Sequence, residues 1–265
     1  NCTVSPAQFQ PQVLKLVGTN IHCWHISLKM LENAITQPQV PPMAYTYLGE
    51  LYRRLCEDDF AHGLYTRQSQ VEDTRAALVL TQFAQWSRAQ DLLYRAMQDS
   101  AYGLIPNAPQ LDIELWESQW VECAKRLNQW EVLLDISRSA QFLPELQLES
   151  MWKLGEWKSM RELLSHSPFS PESPKIKIFQ SYLHLQDTKI IDVDACCKAA
   201  MNTLVNQWIS LPKTPSPAFF PLLQSFQQII ELYESAKFVK DINSANRLAK
   251  QGDIKNHIIK AWRER

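Results

Sequence analysis

The sequence predicts an all-α protein, an α-solenoid built from helical hairpins similar to tetratricopeptide repeats. The 265 residues are 45% apolar and 21% charged, a composition typical of a globular chain and not of a disordered one. Only 6 residues are glycine, whereas β-sandwiches, barrels and phosphate-binding loops use glycine freely in tight turns. Between clusters of proline, apolar residues recur at intervals of three and four, which is the helical period.

The proline clusters predict where helices are interrupted, because proline lacks a donor and disfavours the α conformation of the residue before it. They lie at Pro38 to Pro42, Pro106 to Pro109, Ser165 to Pro174 and Pro212 to Pro221. We therefore expect loops at these four places.

The clearest single helix follows the last cluster. Pro221 suits a first helical turn, and the residues after it carry an apolar stripe at helical spacing: Leu222, Leu223, Phe226, Ile229, Ile230, Tyr233 and Ala236. Ile176 and Ile178 alternate as in a strand. However, the longer window of Ile176, Phe179, Tyr182 and Leu183 fits a helix better.

Three tryptophan segments form a loose internal repeat. They are FAQWSRAQDLL (Phe83 to Leu93), LNQWEVLLDI (Leu127 to Ile136) and LGEWKSMRELL (Leu154 to Leu164). In each segment one helical run ends and the tryptophan opens the next, which predicts a helix, a short turn and a second helix. The tryptophans are separated by 44 and 27 residues, around the period of about 34 of tetratricopeptide units. We therefore expect degenerate hairpins that stack on their neighbours.

The repeat also predicts that the rings of Trp86, Trp130 and Trp157 are buried within the hairpins. Replacing any of them with Ala should then cost about 3–5 kcal/mol of stability. The alternative is that the tryptophans fill a helical core without marking a repeat, but the flanking apolar spacing recurs with them.

The sequence predicts no catalytic, cofactor-binding or metal-binding residue. His22, Cys23 and His25 form a metal-like cluster, but a zinc site needs four ligands and no second pair follows. We expect instead a helix with Trp24 and Leu28 in a core, and no stoichiometric metal. Cys196 and Cys197 are adjacent and point apart on a helix, so we interpret them as small apolar residues.

Consecutive carboxylates at Glu57, Asp58 and Asp59 fit a solvated turn or a helix cap better than an acid/base pair. The phosphate-binding, nucleophile and zinc-protease motifs are absent. The six cysteines have no paired spacing, so reduced thiols are expected.

Two weaker signals remain. Six Ser-Pro or Thr-Pro pairs, including those at Ser167, Ser170 and Ser173, are open to proline-directed phosphorylation, although plain loop composition explains them as well. Residues 243–265 carry six basic and two acidic residues, with Ile254, Ile258 and Trp262 at helical spacing. We interpret this segment as structural, and expect duplex DNA to bind no better than non-specifically, with Kd above about 1 µM.

The net charge of −1 favours neither nucleic acid nor an anionic membrane as a partner, and the apolar runs are too short to cross a bilayer. The chain opens with Asn1, without a signal-peptide pattern, and we interpret it as a piece of a longer protein.

Several longer stretches resemble one family. They are EDDFAHGLYTR (Glu57 to Arg67), EDTRAALVLTQFAQWSRAQDLLYRAM (Glu72 to Met97), LWESQWVECAKRLNQWEVLLD (Leu115 to Asp135), MWKLGEWKSM (Met151 to Met160), NQWISLP (Asn206 to Pro212), PLLQSFQQIIELYESA (Pro221 to Ala236) and IIKAWRER (Ile258 to Arg265). In this order they are similar to the FAT region of the transformation/transcription domain-associated protein (TRRAP) family. Tyr65 stands where we expect a tryptophan in that family.

The resemblance implies that residues 1–265 are part of one FAT-type helical-repeat domain in a much larger chain. Family members are pseudokinases related to the phosphatidylinositol 3-kinase-like kinases. The implied function is a nuclear, non-catalytic scaffold in histone acetyltransferase coactivator complexes of the SAGA and NuA4 types. The implied partners are other subunits of these complexes, transcriptional activators and the kinase-like domain of the same chain, with no cofactor, direct nucleic acid or membrane.

Two alternatives stay open from the sequence. The chain could be the FAT region that braces an active kinase of the same superfamily, because the kinase motifs would lie outside this segment in either case. It could also be a generic helical-repeat protein that binds peptides.

Overall fold

A computed structural model of the chain describes residues 9–41, 43–139, 144–166 and 173–247. All regular secondary structure in these residues is helical. The α-helices they contain are α1 (Pro11–Asn20), α2 (Trp24–Ile35), α3 (Ala44–Arg54), α4 (Asp58–Gln68), α5 (Glu72–Gln82), α6 (Trp86–Ala101), α7 (Gln110–Arg126), α8 (Trp130–Ser139), α9 (Pro144–Leu154), α10 (Trp157–His166), α11 (Pro174–Gln186), α12 (Ile190–Ser210) and α13 (Phe219–Arg247).

The described part of the chain divides into two compact units. The first unit takes in α1 to α8, most of α9 and residues 210–219. The second contains the end of α9 from Met151, then α10, α11, α12 up to Ile209, and α13 from Phe220.

From α1 to α8 each helix packs on the next one along the chain, and α1 also contacts α3 as α5 contacts α7. Among the described residues of the first unit, three apolar clusters follow one another along the chain. One lies within α1 to α4 and includes Leu78 and Leu115, one lies within α5 to α7, and one joins α7, α8 and α9. Contact between neighbours and next neighbours is the packing of stacked helical hairpins. The predicted fold class, all-α with tetratricopeptide-like hairpins in a solenoid, is confirmed.

In the second unit, one apolar cluster joins α11, α12 and α13. Its buried members are Ile178, Val193, Cys197, Ala200, Leu204, Ile229, Leu232 and Ala236. Trp152, at the end of α9, adds an aromatic contact to this unit, because its ring lies 5.8 Å from that of Phe179 and 5.3 Å from that of Tyr182.

One type of short turn joins the two helices of five successive hairpins, with three residues between the helices in four of them and two between α9 and α10. In each turn one residue just beyond the end of the first helix lies in the left-handed region, with φ between 54° and 74°: Cys56, Ala84, Asn128, Gly155 and Thr188. Its N–H donates to the carbonyl three residues earlier, and the next N–H donates to the carbonyl five residues earlier. For Asn128 and Gln129 these distances are 3.1 Å and 3.0 Å. This is the Schellman arrangement, which satisfies carbonyls left over at the end of a helix.

The same turn starts the following helix. The carbonyl of the residue after the left-handed position accepts a hydrogen bond from an N–H four residues later, and the side chain at that later position is buried. The five pairs are Glu57 with Ala61, Gln85 with Ala89, Gln129 with Leu133, Glu156 with Met160, and Lys189 with Val193. A single turn therefore ends one helix, caps the next and directs an apolar side chain into the hairpin.

The repeat is longer than the tryptophans alone indicated. The second helices of the hairpins begin at Trp24, Asp58, Trp86, Trp130, Trp157 and Ile190, which are 34, 28, 44, 27 and 33 residues apart. The predicted change of helix at Trp86, Trp130 and Trp157 is confirmed. His22, with φ of 59°, occupies the equivalent place before Trp24. There, however, the N–H of Cys23 donates to the carbonyl of Val17, six residues earlier, whereas in the other turns the corresponding acceptor lies five residues earlier.

The expected burial of those tryptophans is wrong in degree. Trp86, Trp130 and Trp157 are only half-buried. Trp86 packs against the α5 to α7 cluster on one side, and the Arg126 guanidinium lies 5.5 Å from its ring. The first helical position lies at the edge of a hairpin, so an indole there covers the turn without entering the core. Among the described residues, the deeply buried tryptophans are Trp24 and Trp116.

At three of the four predicted places the proline clusters interrupt the helices, whereas most of the cluster from Ser165 to Pro174 lies outside the described residues. Pro38, Pro106 and Pro212 each lie in a connection between two helices, and Pro221 lies in the first turn of α13. The segment with Ile176 and Ile178 is helical, in α11, and buries both side chains.

The predicted stripe on α13 is only partly correct. Ile229 and Ala236 are buried and Leu222 and Phe226 are partly buried, but three members of the stripe are about half exposed: Leu223, Ile230 and Tyr233. Leu232, which the stripe omitted, is buried. The apolar surface of α13 is therefore wider than its contact with the core.

Candidate interaction surfaces

The metal-like cluster is spread over the start of α2. His22 precedes the helix in a left-handed conformation, so it does not share a helical face with His25. The Nε2 atom of His25 lies 3.0 Å from the Thr214 hydroxyl. In the described ranges no group of three or more His, Cys, Asp or Glu side chains is placed to hold a metal ion. The absence of a bound metal stays a prediction.

The alternative role for this segment, a helix with Trp24 in a core, is confirmed. Trp24 is 4% exposed, and its indole N–H donates to the Ser210 carbonyl at 2.8 Å. Leu28 is partly buried against the same cluster. Residues 210–219 are thereby attached to the start of α2.

Cys196 and Cys197 point to different environments on α12. Cys197 is buried, and its thiol lies 3.7 Å from the Ser181 hydroxyl on α11, whereas Cys196 is half-buried. Burial raises the pKa of both thiols. A raised pKa keeps a thiol protonated and less nucleophilic, so these side chains suit packing.

The three consecutive carboxylates lie in the turn between α3 and α4. Glu57 is the N-cap residue of α4, and Asp58 and Asp59 form its first turn. Asp58 and Asp59 are exposed. Carboxylates at this position stabilise the partial positive charge at the helix N-terminus, and here they belong to the turn that recurs along the chain.

The phosphorylation candidates and the basic segment are only partly described. Ser173 is the N-cap residue of α11, and Pro174 is its first residue. Ser167, Ser170 and residues 248–265, with Ile254, Ile258 and Trp262, lie outside the described residues. The interpretation of that segment as structural stays a prediction.

A row of buried polar contacts on α7 escaped the sequence analysis. The Asp112 carboxylate is completely buried and accepts hydrogen bonds from the Ser69 hydroxyl and, at 3.2 Å, from the Gln70 backbone N–H. One turn later the Trp116 indole N–H donates to the Thr74 hydroxyl at 2.6 Å. These contacts hold α7 against the connection between α4 and α5. The partners lie 42 or more residues apart in the chain, so no local pattern could reveal them.

An open groove of about 800 Å³ lies at the start of α1 in the first unit. Phe9, Pro11, Pro38, Met43 and Tyr47 line it, together with amide side chains such as Gln10 and Gln37. Its described lining residues include no carboxylate, histidine, cysteine or lysine side chain, so the groove suits contact with another surface better than acid/base chemistry.

The described helices include none that combines the length and the apolar character of a membrane span.

These features define a class of protein. The chain is a helical-repeat protein whose buried polar groups serve packing, and whose outer surfaces expose apolar and charged side chains suited to protein contacts.

Comparison with known proteins shows which sequences the chain resembles. Residues 144–265 match the family described as FAT domain. The chain is similar to "Probable transcription-associated protein 1" of Dictyostelium discoideum, at 29% identity over 96% of the chain. It is also similar to "SAGA complex/NuA4 acetyltransferase complex subunit TRA1" of Saccharomyces cerevisiae, at 28% over 99% of the chain. "Transformation/transcription domain-associated protein" of Homo sapiens is 29% identical over 99%.

The resemblance to the FAT region of the TRRAP family is thereby confirmed: residues 144–265 match the FAT domain family, and the chain is similar to these transcription-associated proteins along almost its whole length. It spans only 6%, 7% and 8% of the three relatives, respectively.

Proposed function

We propose that the chain is part of a non-catalytic, nuclear scaffold in histone acetyltransferase coactivator complexes of the SAGA and NuA4 types, which transcriptional activators help to recruit. The observation that carries the proposal is similarity along 99% of the chain to a subunit whose name assigns it to both complexes. A scaffold needs a long, stable surface more than a reactive centre, and stacked hairpins supply one.

The proposal includes the organisation of the protein. Residues 1–265 would form part of one FAT-type domain in a longer chain. The match to residues 144–265 supports this, and so does the recurrence of one turn from Cys56 to Thr188, on both sides of the start of that match. Its partners would be other subunits of the complex, activators and the kinase-like domain of the same chain, with no cofactor and no direct contact with nucleic acid or membrane.

The buried polar groups support a non-catalytic role. The Asp112 carboxylate accepts hydrogen bonds from Ser69 and Gln70, and the Trp116 indole N–H donates one to Thr74. These groups therefore serve to hold helices together. The thiols of Cys123 and Cys197 have raised pKa values because they are buried, which disfavours nucleophilic chemistry.

Purification of the natural protein through an affinity tag, under mild conditions, tests the proposal. We expect the eluate to contain acetyltransferase subunits and to transfer acetyl groups from acetyl-coenzyme A to histones, and to show no protein kinase activity of its own. Isolation without acetyltransferase activity would contradict the proposal. Recovery with an intrinsic kinase activity would favour a FAT region that braces an active kinase.

A further inference from the structure

Two of the six Ser-Pro and Thr-Pro pairs lie in the connection between α12 and α13, and their hydroxyl groups differ in accessibility. Residues 211–218 form this connection and are not helical. The Thr214 side chain and Pro215 after it are exposed, whereas the Ser216 hydroxyl oxygen is buried. A protein kinase has to reach the hydroxyl oxygen that it modifies. The connection therefore offers Thr214, and not Ser216, to a proline-directed kinase.

The connection is held by the first unit at both of its ends. The Trp24 indole N–H donates to the Ser210 carbonyl at 2.8 Å, at the end of α12. Pro212 and Ala218 are buried, whereas residues 213–215 between them are exposed. The middle of the connection is thus open to solvent, while its ends fix where it lies on the first unit.

The exposed Thr214 side chain contacts the first turn of α2. The Nε2 atom of His25 lies 3.0 Å from the Thr214 hydroxyl, and both residues belong to the first unit.

Basic side chains surround this contact in the sequence. Lys213 precedes Thr214, and Lys29 follows His25 by four residues and so lies on the same face of α2; both lysines are exposed. The first turn of α2 carries no acidic residue. Its partial positive charge, as a helix N-terminus, adds to that of the basic side chains. The surroundings of the Thr214 hydroxyl therefore favour a negatively charged group.

We propose that Thr214 is a phosphorylation site for a proline-directed protein kinase, and that the phosphate attaches the connection more firmly to α2. In the transfer, the Thr214 Oγ1 atom bonds to the γ-phosphorus of ATP, and the bond from that phosphorus to the bridging oxygen of ADP breaks. The hydroxyl proton passes to the basic group of the kinase, and ADP leaves. The proposal goes beyond the scaffold function and does not depend on it.

The phosphate replaces one contact with several. It carries a charge of about −1.5 to −2 at neutral pH and three acceptor oxygens. The His25 imidazolium can donate from Nε2 to one of these oxygens, and Lys213 and Lys29 are attracted to the others. Hydrogen bonds between charged groups are stronger than the contact of a neutral hydroxyl with His25. Residues 211–218 should therefore open from the first unit less often after phosphorylation.

Kinase treatment of the 265-residue chain tests the site. The protein used carries Ala at the serines of the four other pairs, which are Ser5, Ser167, Ser170 and Ser173. It is incubated with a purified mitogen-activated protein kinase and ATP, and mass spectrometry identifies the modified residues. We expect the initial rate of phosphorylation to be at least tenfold higher at Thr214 than at Ser216. Thr214→Ala should abolish the main product, and Ser216→Ala should leave it unchanged.

Hydrogen exchange tests the role of the phosphate. We expect the amide N–H groups of residues 211–218 to exchange at least threefold more slowly in the phosphorylated protein than in the unmodified one. His25→Ala should abolish this protection. His166→Ala is the matched control and should preserve it, because His166 is exposed on α10 in the second unit. Circular dichroism checks folding, and His25→Gln, which also lacks the positive charge, replaces His25→Ala if the latter variant does not fold.

Several results would overturn the proposal. Phosphorylation of Ser216 as fast as that of Thr214, or of neither residue, would reject the site. Unchanged or faster exchange after phosphorylation would show that the phosphate does not hold the connection on α2. Protection that persists without His25 would show that this side chain does not bind the phosphate. Co-purification with acetyltransferase activity is measured separately, so it can succeed where this proposal fails.

Discussion

Single residues in the hairpin turns carry a measurable conformational cost. Four of the five recurring turns place a residue other than glycine at a left-handed φ, which costs roughly 1 kcal/mol for an ordinary side chain. Thr188 is the least suited, since it is β-branched, and it is exposed. Thr188→Gly should therefore stabilise the protein by about 0.5–1 kcal/mol, and Gly155→Ala, at φ of 74°, should destabilise it by about 1 kcal/mol.

Urea denaturation of the two variants measures both effects, and Gly63→Ala is the control. Gly63 lies inside α4, with open space where the β-carbon of an alanine would lie. The same Gly-to-Ala change should there stabilise the helix by up to about 1 kcal/mol. Equal effects of Gly155→Ala and Gly63→Ala would show that the turn conformation has no energetic importance.

The tryptophans should divide into two energetic groups. Trp116 is 1% exposed and its indole N–H is hydrogen-bonded, so Trp116→Ala should cost about 3–5 kcal/mol. Trp86 and Trp130 are half-buried, so their replacement should cost about 1–2 kcal/mol, because less apolar area returns to water. Denaturant midpoints for the three variants decide this. A cost for Trp86→Ala equal to that for Trp116→Ala would contradict the half-buried placement.

The pH dependence of stability should show the buried thiol of Cys123. Burial raises its pKa to about 11 from a usual 9.0. Between these values the thiol ionises in the unfolded chain before it does in the folded one, so its contribution is present below pH 9 and is lost towards pH 11. The urea midpoint should fall between pH 8 and pH 10.5, and should fall less in Cys123→Ala. An identical fall in the variant would assign the loss to other groups.

At the residue scale, sequence predicts what is local. Trp86, Trp130 and Trp157 could be placed at the start of helices because helix, turn and helix are adjacent in the chain. Their depth could not, since it depends on neighbouring helices such as α7, which carries Arg126. Asp112 shows the same limit more strongly: its carboxylate is buried by partners 42 and 43 residues away.

At the scale of elements, the contact between α7 and the α4–α5 connection should depend on Asp112. Asp112→Ala leaves the Ser69 hydroxyl and the Gln70 N–H without their buried acceptor, so it should cost about 2 kcal/mol or more. Asp112→Asn keeps one acceptor oxygen and should cost less. Asp135→Ala is the control: its side chain is 80% exposed and its ion pair is long, 3.8 Å, so it should change stability by less than about 0.5 kcal/mol.

Thermal or urea unfolding distinguishes these variants. A cost for Asp112→Ala as small as that for Asp135→Ala would show that the buried carboxylate does not hold α7 in place.

Helix boundaries were the most predictable feature at this scale, because proline limits the backbone directly. Pro38, Pro106 and Pro212 all lie between helices. The face of α13 was less predictable. Its apolar positions include both Ile229, which is buried in the core, and Ile230, which is 51% exposed. A spacing rule cannot separate a surface packed in the core from one that remains exposed.

At the scale of the whole molecule, fold class followed from composition and period, and the family followed from ordered stretches of sequence. A low glycine content, prolines between the helices and apolar residues at helical spacing are enough to predict stacked hairpins, because each constrains the chain locally. The function depends on what meets the outer surfaces. That information lies partly in other chains, so the sequence of this one predicts the partners only through resemblance.

Crosslinking mass spectrometry on the native complex tests the scaffold assignment most directly. Lys158, Lys175, Lys198 and Lys237 are exposed and can react. In a complex purified through the natural protein, we expect crosslinks from these lysines to other subunits of a histone acetyltransferase complex. A complex with no acetyltransferase subunit, in which these lysines link only to an active kinase domain, would contradict the account.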